Sequence, residues 1–277
     1  MNGIKTALIT GATGGIGSEL CKEFARHGYN LVITATNEER LDAAAAQLRG
    51  SYGIRVLPLV LDLAGDGAAD ELYNMIDEEG IAIDALVNNA GFGLGGYFYT
   101  NRPGRQTEMM RVIMGVPTRL CRLFIPDMLR RGHGRILNMA SLGSFVPGPM
   151  NAVYCASKAY LLSLSEALAE ELCDKGIQVT AACPGGTRSR FAETSNMETT
   201  MLFNYCVLHP GLVAREAFHA MMRGKRVCVI GPVTKIMVAA SRIAPRGLTA
   251  RISREIQQPF KVRNPYGRGR AGLGGNG

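Results

Sequence analysis

Thr6-Ala7-Leu8-Ile9-Thr10-Gly11-Ala12-Thr13-Gly14-Gly15-Ile16-Gly17 is the stretch that decides how the rest of the chain is read. Its first five residues are an apolar, β-branched run of the kind that fills a buried strand. The glycines behind it permit a tight turn, and a helical pattern over 15–27 begins inside them. A strand that turns over glycines into a helix brings backbone N–H groups to the helix N-terminus, where a diphosphate can be held. Gly11, Gly15 and Gly17 stand here as G-x3-G-x-G, not as the commoner G-x-G-x-x-G. Alone, that spacing also suits a plain glycine turn. Its place after the first strand of an alternating chain is what favours the phosphate reading.

The alternation continues outward. Strand-like runs cover 31–35, 55–61, 85–88, 135–139, 178–183 and 226–230, and helical patterns cover 38–49, 68–79, 106–131, 152–175 and 211–222. Strands alternating with helices predict a parallel sheet covered on both faces. Right-handed crossovers then give a doubly wound α/β fold with its ligands at the carboxyl ends of the strands. The second strand ends in Thr34-Ala35-Thr36-Asn37, with Arg40 two glutamates further on. An acid there would bind ribose hydroxyls and repel a 2′-phosphate. Its absence, beside hydroxyl and amide donors, favours NADP(H) over NAD(H), although no arginine stands directly at the strand end.

A second group of residues lies in the other half of the chain. Tyr154 and Lys158 are spaced i and i+4 in a helical stretch, so they share a face about one turn apart. An ammonium held there favours the tyrosinate and lowers the phenol from its usual pKa of about 10. Such a phenol can pass a proton to or from an alcohol oxygen. Ser141, just past the strand 135–139, is placed to orient a carbonyl. Taken by itself, Y-x-x-x-K is most often an ordinary pair of neighbours on a helix surface.

The motifs also come in a fixed order: Thr10-Gly-x3-Gly-Ile-Gly17, Asp62 after the third strand, Asn88-Asn89-Ala90-Gly91 after the fourth, Ser141, Tyr154-x3-Lys158 and Pro184-Gly185. Over residues 4–240 the chain resembles the short-chain dehydrogenase/reductase family, and within it the branch of 3-oxoacyl and hydroxysteroid reductases. The resemblance implies a Rossmann-type, seven-stranded parallel sheet in a three-layer α/β/α fold, and hydride transfer at a nicotinamide. It implies that Tyr154 is the acid/base, that Lys158 binds the nicotinamide ribose and lowers the tyrosine pKa, and that Ser141 steadies the carbonyl. The cofactor residues it implies are Thr10, Gly11, Thr13, Gly15, Ile16 and Gly17 in the glycine loop and Thr36 and Asn37 after the second strand. Asp62 and Leu63 would lie at the adenine, Asn89, Ala90 and Gly91 along the middle, and Pro184, Gly185 and Thr187 at the carboxamide. A homodimer or homotetramer through the helices 106–131 and 152–175 is expected on the same ground.

One position departs from the family pattern. The asparagine usual midway along the fourth helix is replaced by Ile113, which has no polar side-chain atom. Pro117, four residues on, has no N–H to give the Ile113 carbonyl. That carbonyl is therefore a candidate for holding the relay water, with Pro117 making the kink. Simple drift in an enzyme with a slower relay fits the residues as well. So does a cofactor-binding regulator or scaffold that has lost catalysis, though the intact Ser141, Tyr154 and Lys158 weigh against it.

Composition sets the remaining bounds. With 47% hydrophobic and 19% charged residues in 277, the chain has the material for a packed core. No run of eighteen apolar residues and no room for a secretory signal before the first strand predict a cytoplasmic protein. Seven scattered cysteines without C-x-x-C read as buried, reduced thiols, and no metal site is expected. After Ser241 stand eight basic residues and one acid, so +7 of the formal +8 sits there. The body therefore shows no general affinity for nucleic acid. We expect a catalytic domain over 1–240, a basic amphipathic helical extension over 241–260 and a disordered tail over 261–277. In the extension, helices over 235–244 and 248–257 are broken at Pro245, and Leu248, Ile252 and Ile256 share a face. Such a helix packs on its own domain or lies on an anionic membrane surface.

Phe92, Leu94, Tyr97, Phe98, Phe145, Val146, Met150, Phe191, Met197, Met201 and Phe203 fall in segments that should face the chemistry. They would suit a lipophilic carbonyl or alcohol, such as a 3-oxoacyl chain, a steroid or an aryl ketone. The same residues also suit packing beneath a long loop.

Overall fold

The computed structural model describes residues 4–187 and 207–257. Seven parallel strands form one sheet in the order β3-β2-β1-β4-β5-β6-β7. They are β1 Thr6–Thr10, β2 Asn30–Ala35, β3 Val56–Val60, β4 Ala85–Asn88, β5 Gly134–Met139, β6 Ile177–Pro184 and β7 Val227–Ile230. Each lies within one residue of the run read from the sequence. The agreement follows from burial on both faces, which leaves an unbroken apolar run bounded by polar or glycine punctuation.

Successive residues of a strand point to opposite faces, and here they feed two cores. Ala7, Ile9, Leu31, Ile33 and Val87 pack with Leu20 and Phe24 of α1 (Gly15–Arg26), Leu41 of α2 (Glu38–Tyr52) and Phe218 of α7 (Pro210–Met222). Leu8, Val32, Leu86 and Ile136 pack with Leu72 and Ile76 of α3 (Ala68–Glu78), Leu120 and Phe124 of α5 (Val116–Arg131) and Ala169 of α6 (Ala152–Glu171). Strand order reverses between β1 and β4, and a cleft opens at their carboxyl ends.

The expected single helix over 106–131 is three pieces: α4 (Pro103–Met110), a π-helical turn over Arg111–Gly115, and α5. Val116 N–H reaches back to the Arg111 carbonyl, one residue beyond the α-helical partner. Pro117, which cannot donate, sits in the first turn of α5 and accounts for the change of register.

The chain closes with α8 (Pro232–Ile243) and α9 (Arg246–Gln257), divided at Ala244-Pro245, where Ala244 takes the extended backbone that a following proline imposes. α9 is not seated on the apolar face read from its sequence. Thr249 and Ser253 are buried and Leu248 and Ile252 are half exposed. The proposed tail, 261–277, lies outside the described residues. Cys21, Cys121, Cys155 and Cys183 are buried free thiols as expected, whereas Cys173 is exposed.

Candidate active site

The glycine turn forms one end of the cleft. Gly11 takes the left-handed conformation (φ 67°), and a Cβ there would meet Ala90 Cα at 2.9 Å. A Cβ on Gly17 would stand 2.0 Å from the Gly11 carbonyl, so no side chain fits. α1 has Gly14 as its N-cap, no side-chain cap and no acid in its first turn, leaving its N–H groups to face the cleft. Thr13, Gly15 and Ile16 line the wall with Gly11 and Gly17.

Thr10 and Asn89 hold this turn from behind. The Thr10 hydroxyl accepts from the N–H groups of Asn89 and Ala90, both at 3.0 Å. Asn89 Nδ2 donates to the carbonyls of Thr10 (2.8 Å) and Gly11 (3.2 Å). Thr10 is buried and does not reach the cleft, so its expected cofactor contact is corrected to a clamp between β1 and β4. Asn89, Ala90 and Gly91 do line the cleft.

At the ends of β2 and β3 the wall is made by Thr36, Asp62 and Leu63. Asp62 Oδ1 accepts from the Ala64 N–H at 2.9 Å. Asn37 is the second correction. Its side chain caps α2 by accepting from the Arg40 N–H at 2.9 Å, and it is not part of the wall. Instead Arg40 lines the cleft. It stands two glutamates past the strand end, in the first turn of α2, and only the fold brings it to the wall. A cation near a strand end is the signal that could have found it.

Ser141, Tyr154 and Lys158 meet at the far end of β5. Ser141 opens a short 3₁₀ turn, Leu142–Ser144, and accepts from the Gly143 N–H at 3.1 Å. Its side chain is also hydrogen-bonded to Tyr154. Ser144 Oγ donates to the Lys158 carbonyl at 2.9 Å, tying this turn to α6. Lys158 Nζ donates to the Met139 carbonyl at 2.6 Å and stands 5.7 Å from the centre of the Tyr154 ring. Burial drives both groups toward their neutral forms. It pushes the phenol of Tyr154 up, against the Ser141 hydrogen bond, and brings Lys158 from its ordinary 10.5 to about 8. The expected lowering of the tyrosine by the lysine is therefore corrected. Desolvation of the phenol is the largest effect, it is opposed by the Ser141 hydrogen bond and not by the lysine, and the nearby amine is itself driven toward its neutral form by burial.

Ile113 is fully buried in the π turn. Its Cγ1 stands 3.4 Å, and Lys158 Nζ 3.8 Å, from where a Cβ of Gly91 would be, so it lies beside Lys158. Pro184, Gly185 and Thr187 line the cleft behind β6.

Between these groups the cavity measures about 940 Å³. Of the apolar lining read from the sequence, Phe92, Leu94 and Val146 are there, with the Arg105 guanidinium 4.6 Å over the Phe92 ring. Tyr97, Phe98, Phe145 and Met150 are not part of the wall. Phe145 packs instead beside Ala140 and Leu162, and Phe98 is exposed. Phe191, Met197, Met201 and Phe203 lie outside the described residues. Sequence reasoning missed the contribution of the last two helices, Met237 and Ser241 from α8 and Thr249, Ile252, Ser253 and Ile256 from α9. No local motif marks them, since only the chain's return over the cleft brings them there.

Comparison with known proteins agrees with this geometry. A very-long-chain 3-oxoacyl-CoA reductase of Pyrenophora tritici-repentis is 37% identical over 179 residues, 62% of this chain and 52% of that protein. The chain thus spans about half the length of that relative. A short-chain dehydrogenase of Sphingobium yanoikuyae solved with NADPH superposes with a TM-score of 0.77 at 29% identity, covering 86% of this chain and 94% of the other. A bulky-bulky ketone specific alcohol dehydrogenase of Comamonas testosteroni gives 0.73 at 29%, covering 88% and 93%. Residues 5–200 match the family described as short chain dehydrogenase, with the glycine turn and the serine, tyrosine and lysine all inside the match, and the chain belongs to that family.

Proposed function

We propose that this protein is an NADP(H)-dependent oxidoreductase that interconverts a lipophilic ketone and its alcohol, with Tyr154 as the proton-transfer residue. The observation that carries the reading is the position of Ser141, Tyr154 and Lys158 on one wall of the cleft whose other end is the glycine cradle. Gly11 and Gly17, where any Cβ would collide with backbone, fit the close approach of a dinucleotide diphosphate. Thr36 and Arg40, with no acid at the end of β2, suit a 2′-phosphate. When bound, the nicotinamide supplies or accepts the hydride.

The chain's own residues provide the remaining chemistry. Ser141 orients the carbonyl oxygen, which Tyr154 protonates in the reductive direction. Burial keeps the phenol protonated across the neutral range, and so a donor. Lys158 holds a positive charge behind it and refills the proton. The Ile113 carbonyl, to which Pro117 four residues on cannot donate, holds the relay water, and Pro117 makes the kink in place of the usual asparagine. The apolar lining by Phe92, Leu94, Val146 and Ile256 supports a bulky, lipophilic carbonyl substrate. Exposed Met110 and Tyr160, on α4 and α6, support pairing of two copies through these helices, as a homodimer or homotetramer.

The test is NADPH and NADH oxidation against 3-oxoacyl, steroid and aryl ketones, with Tyr154→Phe as control. Turnover that disappears with the hydroxyl is the expected result. Tight NADPH binding without turnover in either direction would replace this reading by that of a cofactor-binding regulator.

A further inference from the structure

We infer that α8 and α9 together form a docking surface for an anionic lipid bilayer, beside the mouth of the cleft. α8 buries Thr234 and Val238 and leaves Val233, Ile236 and Ile243 outside, Ile236 at 70% and Ile243 at 88% exposure. At 100° per residue these three share one stripe. In α9 Thr249 and Ser253 are inside and Leu248 is half exposed, while Ile252, also half exposed, stands at the rim of the cleft that it lines. A helix that turns a hydroxyl inward and both its isoleucines outward, followed by one that leaves Leu248 outside, is not explained by the packing of a single copy. An exposed apolar patch with a polar rim marks a surface that meets something else.

The rim says what it meets. Residues 232–257 carry Lys235, Arg242, Arg246, Arg251 and Arg254 against a single acid, Glu255. All five cations are exposed, and none makes an ion pair among the described residues. The sequence beyond 257 adds Lys261, Arg263, Arg268 and Arg270 and no acid. A second copy seated here by a two-fold axis would set these cations against themselves. A bilayer with anionic headgroups takes the isoleucines into its boundary and the arginines at its surface. The surface differs from the single-helix face read from the sequence, because Ile252 and Ile256 line the cleft and α8 supplies the most exposed side chains. Met237 and Ser241 line the cleft from the same helix, so docking brings the mouth to the lipid. Delivery of substrate by that route rests on the lipophilic reading of the cleft, whereas docking itself does not.

Flotation of the full chain with phosphatidylcholine vesicles, pure or with one lipid in three phosphatidylglycerol, tests the inference. The protein should float with the anionic vesicles, not with the neutral ones, and leave them at high salt. Ile236→Ser with Ile243→Ser should weaken binding about tenfold or more, since two large side chains lose their burial. Nucleotide binding and the thermal midpoint should not change. Each of Arg242→Gln and Arg251→Gln should weaken it about fivefold. Failure of the intact chain to float overturns the inference. So does unchanged flotation of the isoleucine variant alongside loss on truncation after Gln257, which would assign binding to the tail alone. A fall in oligomer mass by light scattering, without effect on vesicles, would assign the surface to a second copy. Flotation without turnover on any ketone would leave docking standing and remove the functional reading.

Discussion

The two ends of the cleft are built by different means. At the nucleotide end the wall is backbone: glycines that admit no Cβ, an uncapped helix start, and a threonine and an asparagine that clamp two strand ends. At the substrate end it is side chains, drawn from loops and from two helices far along the chain. Backbone geometry tolerates almost no substitution, because a Cβ that overlaps a carbonyl cannot be repacked away. A lining of Leu, Val, Ile and Met accepts volume changes at modest cost. The difference teaches where one family can keep its cofactor chemistry and still change what it acts on.

The largest break should come from Gly17→Ala, whose methyl group must displace the Gly11 carbonyl. Nucleotide binding should fall beyond about hundredfold, since a shift near 1 Å in a binding loop suffices for that, and titration by fluorescence would show it. Tyr154→Phe should cost a factor of about 10²–10⁴ in turnover with the dinucleotide Kd preserved. Retained turnover would place the proton elsewhere and erase the contrast between a binding end and a chemical end.

Lys158→Met should separate stability from function. The folded pKa of about 8 lies below the ordinary 10.5, so the unfolded chain binds this proton more tightly. The penalty of burying the charge is full below about 8 and fades as pH rises toward 10.5. The variant should therefore be more stable than the wild type at pH 7, by up to about 3 kcal/mol, with the gain vanishing near pH 10.5 while turnover is lost. Denaturant unfolding at a series of pH values reads this directly, and a variant less stable at pH 7 would contradict it.

Arg40→Gln sharpens the cofactor end. KM for NADPH should rise about tenfold or more, the loss of a charge-assisted contact, with KM for NADH hardly moved. Equal effects on both would remove Arg40 from the 2′-phosphate. The smallest effect is expected from Pro117→Ala. Restoring an N–H at that position lets the helix regain its register across the π turn, and turnover should drop severalfold without change in nucleotide affinity. Unchanged turnover would end the case for the Ile113 carbonyl.

The strands and the glycine turn were legible because both obey local rules: doubly buried strands are apolar throughout, and a backbone cradle excludes side chains by residue type. The pair Tyr154 and Lys158 was legible through helical spacing, and Ile113 through its departure from a pattern. Local reading failed where a residue's use depends on what the fold places opposite it. Thr10 and Asn37 belong to cofactor motifs by position, yet the Thr10 hydroxyl accepts from the N–H groups just after β4 and Asn37 Oδ1 from the first turn of α2. Arg40 stands two glutamates past the strand end, and only the fold shows that it lines the cleft.

By itself, then, the sequence determined the sheet, the turn that starts it and the residues able to carry a proton, since these follow from periodicity, spacing and the steric limits of glycine. The tertiary structure decided the rest. It set which phenol and amine lose solvent, which cation lines the cleft, and that α8 turns its isoleucines outward. Burial and orientation arise from contacts between segments far apart in the chain, and no window of sequence contains them.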